Sequence, residues 1–224
     1  MKVLIACEAS GTVRRAFEAR GHDAWSCDIR PAEDKSNRHI RDDVRNHLEG
    51  WDCIIVAHPP CTRLCNSGVR WLHKPPPGRS LDEMWAELEE GAALFSDLWN
   101  AKCPRVAVEN PVMHKHAKKR IRNYQPFAQS FHPWHFGTDP AGPDNEKKRT
   151  CLWLRGLPPL RATGTLDGFS ARARVHKMGP GADRGLERSR FFPGIADAMA
   201  DQWGPLGPPP EFEPEEQFVL PLAA

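Results

Sequence analysis

Short apolar runs alternate with amphipathic stretches along the first half of the chain. Residues 3–7, 24–28, 53–57 and 106–109 have the length and composition of buried strands. Before the last of these runs, residues 81–99 repeat apolar side chains at helical spacing, with acidic side chains on the opposite face. This alternation is typical of βαβ units, so it predicts a Rossmann-like α/β fold with a mostly parallel sheet and helices on both faces.

The remaining segments are shorter or less regular. Residues 12–20 and 195–203 predict helices, and residues 150–154 predict one more strand. Residues 161–190 are basic, glycine-rich and weakly periodic, which indicates either a substrate-facing loop or a partly disordered insert.

A chain of 224 residues can form one domain with a sizeable core, and we place that domain at residues 1–204. Prolines and glutamates dominate residues 205–224, so we expect an extended tail there. The formal charge is only +2, but four glutamates of the tail hide the basic character of the domain. Basic residues concentrate at 114–122 and 172–190, where they predict either a surface that follows a phosphate backbone or solvated helix faces.

The cysteines and the hydropathy predict a cytoplasmic protein. The chain has seven cysteines, an odd number, and several lie in apolar runs where a thiol behaves as a small hydrophobic group. No apolar run approaches the roughly 20 residues that cross a bilayer, and no signal-peptide core follows Lys2. We therefore expect a soluble protein of a reducing compartment, without membrane contact.

Two reactive groups follow neighbouring predicted strands. Cys61 ends a Pro-Pro-Cys turn after the run 53–57, and Glu109 ends the run 106–109, before an Asn-Pro pair. Ligands and catalytic residues of open parallel sheets collect beyond the carboxyl ends of the strands. A thiol and a carboxyl group at neighbouring strand ends predict covalent catalysis on an electrophilic ring. The competing interpretation is a partly buried structural thiol and an ordinary surface acid.

Acidic residues near the first strands predict a nucleoside cofactor. The first strand leads into a small-residue turn at residues 7–11 and then a helix, where a ligand can approach backbone N–H groups. Asp28 ends the next strand, where an acid typically binds ribose hydroxyls, and Asp43 can contact an adenine edge. Since the chain has no Gly-x-x-x-x-Gly-Lys loop for phosphates, the pattern favours an adenosyl cofactor over ATP.

In this order and spacing, the residues resemble the DNA cytosine-5 methyltransferases, and especially the small phage-encoded members of that family. The similarity extends over most of residues 1–203, with a loose match to the final cofactor-side motif at residues 192–195. The more specific matches are residues 7–11 (cofactor loop), Asp28 (ribose acid), Asp43 (adenine acid), Pro59, Pro60 and Cys61 (nucleophile motif), Glu109, Asn110 and Pro111 (Glu-Asn-Val motif) and residues 147–149 (Gln-x-Arg-x-Arg motif).

The resemblance implies a class I methyltransferase fold, S-adenosylmethionine as cofactor, DNA as substrate and, for a phage protein, the host cytoplasm as location. Cys61 is then the nucleophile that adds to carbon 6 of cytosine, and Glu109 relieves the charge that develops at N3. Asn110 would hold the strand tip, and Arg149 would bind O2 of the base. The cofactor contacts that the resemblance implies are Glu8, Ser10, Gly11, Asp28, Asp43 and Pro59.

The chain also departs from the family. His58 stands where the family usually has glycine, Pro111 replaces valine, Lys147 replaces the first arginine, and Ala9 replaces a bulky residue under the cofactor. A sizeable recognition domain is missing, because only residues 161–190 are available for one. Since sequence-specific readout needs several side chains at base edges, we expect short-context specificity, a partner that supplies specificity, or a smaller substrate.

Several alternatives remain open. The same chemistry can act on a free pyrimidine nucleotide, or transfer a larger group from a modified S-adenosylmethionine. A catalytically inactive nucleic-acid-binding relative is a further alternative. Candidate zinc ligands are His58 with Cys61 and Cys65, His114 with His116, and His132 with His135. None of these sets has the paired Cys-x-x-Cys spacing of a structural zinc site, so we expect no bound metal.

The tail ends in Gln217-x-x-Leu220-Pro221-Leu222. This segment resembles the hexapeptide by which bacterial proteins bind the DNA polymerase sliding clamp. In that mode an extended segment seats leucines in an apolar pocket while the glutamine makes polar contacts. The sequence therefore predicts the sliding clamp as a second partner, and the alternative is that this apolar end packs back on the protein's own surface.

Overall fold

A computed structural model describes residues 1–177, 179 and 190–207 of the chain. Its strands are β1 (Lys2–Ala6), β2 (Asp23–Asp28), β3 (His39–Arg41), β4 (Cys53–Val56), β5 (Val106–Asn110), β6 (Gln129–Phe131) and β7 (Thr150–Arg155). Its α-helices are α1 (Thr12–Glu18), α2 (Leu81–Trp99), α3 (Lys115–Lys118), α4 (Arg174–Lys177) and α5 (Pro193–Trp203). Short 3-10 helices occupy Val44–His47, Val69–Leu72 and Pro133–Phe136.

The strands form one seven-stranded sheet in the order β3-β2-β1-β4-β5-β7-β6. Strands β1 to β5 are parallel, and β7 lies antiparallel between β5 and β6. The first five strands have the 3-2-1-4-5 order of doubly wound nucleotide-binding sheets, in which the direction of winding reverses beside β1. The predicted Rossmann-like α/β fold with a mostly parallel sheet is confirmed.

Both faces of the central strands are covered. In β1, Val3 and Ile5 pack in the core beneath α1 and α5, whereas Leu4 and Ala6 pack in the core beneath α2. The same alternation continues through β4 and β5. Because all positions of these strands except Lys2 are buried, their central residues form continuous apolar runs and do not alternate with polar residues.

The register of the parallel strands sets the height of their ends. Strands β1 and β4 pair Ala6 with Val56, and β4 and β5 pair Val56 with Val108. The loops that follow β1 and β4 therefore leave the sheet at one level, and β5 continues two residues further, from Val108 to Asn110. We call this side of the molecule the carboxyl edge. The start of β7 lies at the same edge because β7 runs in the opposite direction, pairing Asn110 with Cys151.

Helix α2 begins with a reciprocal cap. The Glu83 N–H donates to the Ser80 hydroxyl oxygen at 3.1 Å, and the Ser80 N–H donates to the Glu83 carboxylate at 2.6 Å. Such a cap contributes about 1 kcal/mol to helix stability. Beyond it, Leu88, Ala92 and Phe95 lie on one buried stripe, as the helical spacing predicts. Leu81, which the same spacing places on the stripe, is exposed at the start of the helix, and Met84 is buried there.

The sequence missed the short edge strands β3 and β6. It also left open whether residues 161–190 are ordered, and the described part of this insert is held by hydrogen bonds. The Gly164 N–H donates to the His135 carbonyl at 2.8 Å, and the Arg172 N–H donates to the Asn145 carbonyl at 3.0 Å. Residues 178 and 180–189 of the insert lie outside the described residues.

The chain leaves the domain on the side opposite to the carboxyl edge. The buried guanidinium of Arg105, directly before β5, donates to the carbonyls of Leu206 and Gly207 at 3.1 and 3.0 Å. The predicted clamp-binding segment at Gln217 to Leu222 lies outside the described residues. Within the described part of the chain, none of the helices has the length and apolar character that crossing a membrane requires.

Candidate active site

Glu8 shapes the loop that follows β1. Its fully buried carboxylate accepts hydrogen bonds from the N–H groups of Val13 and Arg14 at 2.7 and 3.2 Å. Ser10 donates its hydroxyl to the same carboxylate at 3.3 Å. The carboxylate thus occupies the N–H groups at the start of α1 that a phosphate would otherwise bind. This arrangement fits a ligand that is held by groups other than phosphates.

Gly11 allows the loop to turn tightly into α1. Its φ is +68°, and a Cβ atom there would lie 2.6 Å from a guanidinium nitrogen of Arg14 and 2.7 Å from a carboxylate oxygen of Asp34. Asp34 forms ion pairs with Arg14 and with Arg15. The Glu33 N–H donates to the Ala9 carbonyl at 2.9 Å, so the segment after β2 is fastened onto the loop.

The charges of Asp28 and Asp43 act on Cys7 in the loop after β1. Burial is the main reason that the pKa of Cys7 rises to about 12. The negative charge of Asp28 is the second reason, and Asp43 also contributes. One oxygen of Asp28 accepts the Arg30 N–H at 2.9 Å, and the other accepts no hydrogen bond from the described residues. Asp28 therefore retains a free acceptor at the end of β2, as a ribose-binding acid requires.

Asp43 and the exposed Ile29 also lie on this side of the carboxyl edge, after β3 and β2 respectively. The Asp43 carboxylate caps the 3-10 helix Val44–His47 by accepting the Arg45 N–H at 3.0 Å, and it pairs with the Arg45 guanidinium at 2.5 Å. Its contact with an adenine edge stays a prediction. Ile29 is 74% exposed directly after Asp28, where sequence reasoning did not single it out. An apolar side chain in this position can cover the face of a bound ring.

Cys61 is presented by a tight turn beyond β4. Its carbonyl accepts the N–H groups of Leu64 and Cys65 at 3.0 and 3.1 Å. Cys61 itself is partly exposed, whereas the preceding Pro59 is buried. Hydrogen bonding to the Cys65 thiol, burial and the nearby charge of Glu109 raise the pKa of Cys61, and the Lys148 ammonium opposes them. The structure therefore brings Cys61, Glu109 and Lys148 together, as the sequence predicts for the first two.

Glu109 is a buried acid without a partner. It is 7% exposed and makes no hydrogen bond or ion pair with a described residue. Burial raises its pKa, and the positive charge of Lys148 opposes the rise only in part. Because a raised pKa favours the protonated carboxyl group, Glu109 is suited to donate a hydrogen bond or a proton to a ligand.

The cation that acts on these groups is Lys148. Its ammonium lies 5.5 Å from the centre of the Phe192 ring. Its positive charge lowers the pKa of Cys61, of Glu109 and of His58. The neighbouring Arg149 is exposed and donates to the Ser130 hydroxyl at 3.4 Å. The predicted contact of Arg149 with the base stays a prediction, and Lys148 is a site residue that the sequence did not single out.

Beside Cys61 and Glu109, the side chains of Asn110 and His58 have buried polar atoms without a partner among the described residues. Both amide atoms of Asn110 and the Nε2 atom of His58 have no hydrogen-bond partner there. The structure therefore gives Asn110 no bond that holds the strand tip, which is held instead by pairing with Cys151 of β7. Burial lowers the pKa of His58 well below its ordinary value, so the ring is neutral. Unsatisfied buried groups beside Cys61 and Glu109 are available to a bound ligand.

Positive charge collects at the carboxyl edge. Lys115, Lys118 and Lys119 follow β5, and Lys147 and Arg149 precede β7. None of these five cations forms an ion pair with a described residue. Lys115, Lys118 and Lys119 belong to the predicted basic cluster at 114–122, whereas Lys147 and Arg149 lie outside the one predicted at 172–190. Cations without ion-pair partners that follow β5 and precede β7 suit a polyanionic ligand.

An exposed aromatic ring extends this surface. Phe169 is 91% exposed on a turn that Asn145 holds by donating to the Ser170 hydroxyl at 3.2 Å. The turn is joined to the segment before β7 by the Lys147 N–H, which donates to the Arg172 carbonyl at 2.6 Å. A ring presented beside unpaired cations can stack on a base.

The alternative zinc ligands do not assemble. Within residues 1–177, 179 and 190–207, no group of three or more His, Cys, Asp or Glu side chains could hold a metal ion. All seven cysteines are free thiols. His114 instead accepts the Ala117 N–H at 3.2 Å and contacts the Arg63 carbonyl at 2.6 Å, which fixes the start of α3.

Comparison of the chain with protein-family models and with curated proteins finds no match.

Replacing Gly11 with alanine should damage the cofactor loop more than backbone strain alone explains. Gly50 is the matched control, because its φ is +79° but nothing lies within 4 Å of a Cβ atom there. We expect Gly50→Ala to lose about 1 kcal/mol of unfolding free energy and Gly11→Ala to lose clearly more. Urea denaturation measures both losses, and equal losses would show that the contacts with Arg14 and Asp34 do not constrain the loop.

Proposed function

We propose that the protein transfers a methyl group from S-adenosylmethionine to carbon 5 of cytosine in DNA, through a covalent adduct with Cys61. The observation that carries the proposal is the convergence of Cys61, a buried unpaired Glu109 and Lys148 at one edge of the sheet. That edge also holds the loop after β1 and the acid at the end of β2. A nucleophile, an acid and a nucleoside site at one edge of the sheet are the components that this reaction needs.

The residues around the loop fit S-adenosylmethionine. The start of α1 is occupied by Glu8, which disfavours a ligand that needs a phosphate site there. The free oxygen of Asp28 can accept ribose hydroxyls, and the exposed Ile29 can cover the adenine. Gly11 and Ser10 keep the loop compact, and Asp43 lies on the adenine side. When bound, S-adenosylmethionine supplies the electrophilic methyl group that carbon 5 accepts.

Carbon 5 of cytosine is a poor nucleophile until the ring is activated. The Cys61 thiolate adds to carbon 6, and the electrons of the ring double bond shift toward carbon 5 and N3. Glu109, protonated because it is buried, stabilises N3 by donating a hydrogen bond or a proton. After methylation, carbon 5 loses its proton, the ring double bond reforms and Cys61 leaves as a thiolate.

The surroundings of the site favour DNA over a free nucleotide. Cations that follow β5 and precede β7, among them Lys115, Lys147 and Arg149, form no ion pair with a described residue. Together they supply far more positive charge than one nucleotide needs. Phe169 adds an exposed ring near the same edge. A cytosine within a duplex would have to leave the base stack to reach Cys61. The sliding clamp is a further proposed partner, and it would bind a tail that begins on the opposite side of the domain.

The identity of the reaction is tested by nucleoside mass spectrometry. DNA from cells without endogenous cytosine methylation should contain 5-methyldeoxycytidine when they express the wild type, and none when they express Cys61→Ser. The matched control is Cys103→Ser, because Cys103 is buried before β5 and away from the carboxyl edge, and this variant should behave as the wild type.

Other results would redirect or reject the proposal. A modified cytosine of greater mass would indicate a larger transferred group, and product on free cytosine nucleotides alone would reject DNA as the substrate. Modification that persists in Cys61→Ser, or its absence from the wild type, would contradict the proposed chemistry.

The two ends of β2 provide a test of the cofactor site. Asp28 lies at the carboxyl edge and Asp23 at the other end of the strand. Loss of a hydrogen bond to a charged group costs about 1.5–3 kcal/mol, so Asp28→Ala should weaken S-adenosylmethionine binding by about tenfold or more. Calorimetry should find Asp23→Ala unchanged. Equal affinities for the two variants would remove Asp28 from the cofactor site.

A further inference from the structure

We propose that His114 is a positioning residue, whose ring holds the turn that carries Cys61 in a fixed place beside Glu109. The inference rests on the proposed function, in which Cys61 attacks carbon 6 of cytosine while Glu109 acts on N3. The rate of that reaction depends on how precisely the thiol and the carboxyl group are placed. His114 is buried, and the sequence singles it out only as an alternative zinc ligand.

Both nitrogens of the His114 ring are engaged. The Ala117 N–H donates to Nδ1 at 3.2 Å, so Nδ1 carries no proton. The proton of the neutral ring therefore lies on Nε2, which is 2.6 Å from the Arg63 carbonyl oxygen and donates to it. Because each nitrogen has a partner, the two bonds fix both the tautomer and the orientation of the ring.

The backbone of His114 holds the same turn. Its N–H donates to the Leu64 carbonyl at 3.1 Å, so one residue binds two consecutive carbonyls, those of Arg63 and Leu64. The turn itself is closed by the N–H groups of Leu64 and Cys65, which donate to the Cys61 carbonyl at 3.0 and 3.1 Å. His114 thus contacts the turn directly after the nucleophile.

The segment that contains His114 also carries Glu109, which lies in β5. Between these two residues, the Val112 carbonyl accepts the Asn66 N–H at 3.1 Å. This bond brings the turn and the segment after β5 side by side, and the His114 ring adds a side-chain contact between them. A change in that contact therefore alters the position of Cys61 relative to Glu109.

The turn is also fastened to α2. The Arg63 guanidinium donates to the Glu87 carboxylate at 2.6 Å. Within the turn, a Cβ atom at Gly68 would lie 1.8 Å from the Thr62 carbonyl oxygen, so the two backbone segments are in direct contact. Arg63 is therefore held by α2 through its side chain and by His114 through its carbonyl.

Loss of the ring contact should lower the rate and leave cofactor binding unchanged. A displacement of about 1 Å at the reacting atoms can cost about a hundredfold in rate. The proposed S-adenosylmethionine site lies at the loop after β1 and at the end of β2, away from the bonds of His114. The competing explanation is that His114 only caps α3, and loss of the ring would then act through stability.

Asparagine and glutamine at position 114 separate the two explanations. Asparagine is a preferred capping residue and accepts the Ala117 N–H, but it is too short to reach the Arg63 carbonyl. Glutamine is not a preferred capping residue, but it places an amide nitrogen near the position of Nε2 and donates to that carbonyl.

The kinetic constants and the thermal stability should respond in opposite orders. We expect kcat to fall by about tenfold or more in His114→Asn, with KM for S-adenosylmethionine unchanged, and by clearly less in His114→Gln. The melting temperature should be higher for His114→Asn than for His114→Gln. Wild-type kcat in His114→Asn, or kcat values that follow the melting temperatures, would overturn the inference.

Hydrogen exchange followed by mass spectrometry tests the contact without DNA or S-adenosylmethionine. In His114→Asn, the amides of Leu64 and Cys65 should exchange about tenfold faster or more, because the turn that they close opens more often. The Lys118 amide, which donates to the His114 carbonyl in α3, should keep its wild-type rate. Equal responses of the turn and of α3 in both variants would show a capping role only.

His22→Asn is the matched control. The His22 ring also forms a hydrogen bond, with the amino group of Met1 at 3.4 Å, but it lies before β2 at the edge opposite to the carboxyl edge. This variant should keep the wild-type kcat and the wild-type exchange of the turn.

The wild type alone provides a further test if the His114 variants do not fold. NMR of protein with isotope-labelled histidine should find His114 protonated on Nε2, and a proton on Nδ1 would contradict the contact with Arg63. If the wild type does not methylate DNA, the proposed function fails, and exchange and NMR still decide whether His114 holds the turn. If it methylates DNA and the exchange of the turn is unchanged in His114→Asn, only the inference about His114 fails.

Discussion

The fixed register of β1, β4 and β5 is the constraint on which the site depends. Parallel pairing of Ala6 with Val56 and of Val56 with Val108 ends β1 and β4 at one level, with β5 continuing to Asn110. Both faces of these strands are buried, so a slip of register would move core side chains out of their layer and is strongly opposed. The positions at which the following loops begin are therefore fixed as well. Glu8, Cys61 and Glu109, which are far apart in sequence, therefore meet at one edge.

Polar groups that are buried without a partner determine the chemistry of the carboxyl edge. Glu109 lacks an ion-pair partner among the described residues, and burial raises its pKa toward the protonated form that a hydrogen-bond donor needs. Lys148 supplies positive charge beside both Glu109 and Cys61. His58 is neutral and has an unpartnered nitrogen within the described structure. Such groups lower stability when nothing is bound, which is typical of a site that stabilises charge on a ligand.

Sequence patterns predicted the central elements because burial of the strands and of one face of α2 leaves a clear apolar pattern. Strands β1, β4 and β5 are continuous apolar runs, and α2 has a long apolar stripe with a capping residue. Strands β3 and β6 are three residues each, lie at the sheet edges and are mostly not buried, so no apolar run marks them. The direction of β7 depends on its pairing with β5, which local sequence does not encode.

The candidate site was predictable to a similar extent. Cys61, Glu109 and Asp28 each follow a recognisable strand, so their convergence follows from the fold. Whether Lys148 or Arg149 faces Cys61 depends on the exact path of the chain into β7. The helical turn from Cys61 to Cys65 is likewise revealed only by the backbone hydrogen bonds.

The most direct test of the account is covalent capture by DNA in which every cytosine is 5-fluorocytosine. Fluorine cannot leave carbon 5 as a proton does, so the adduct cannot resolve after methyl transfer. With S-adenosylmethionine present, the account predicts a complex that survives denaturation, with peptide mapping that places the DNA on Cys61, and no complex with Cys61→Ser. Absence of a complex with the folded wild-type protein, or attachment at another residue, would contradict it.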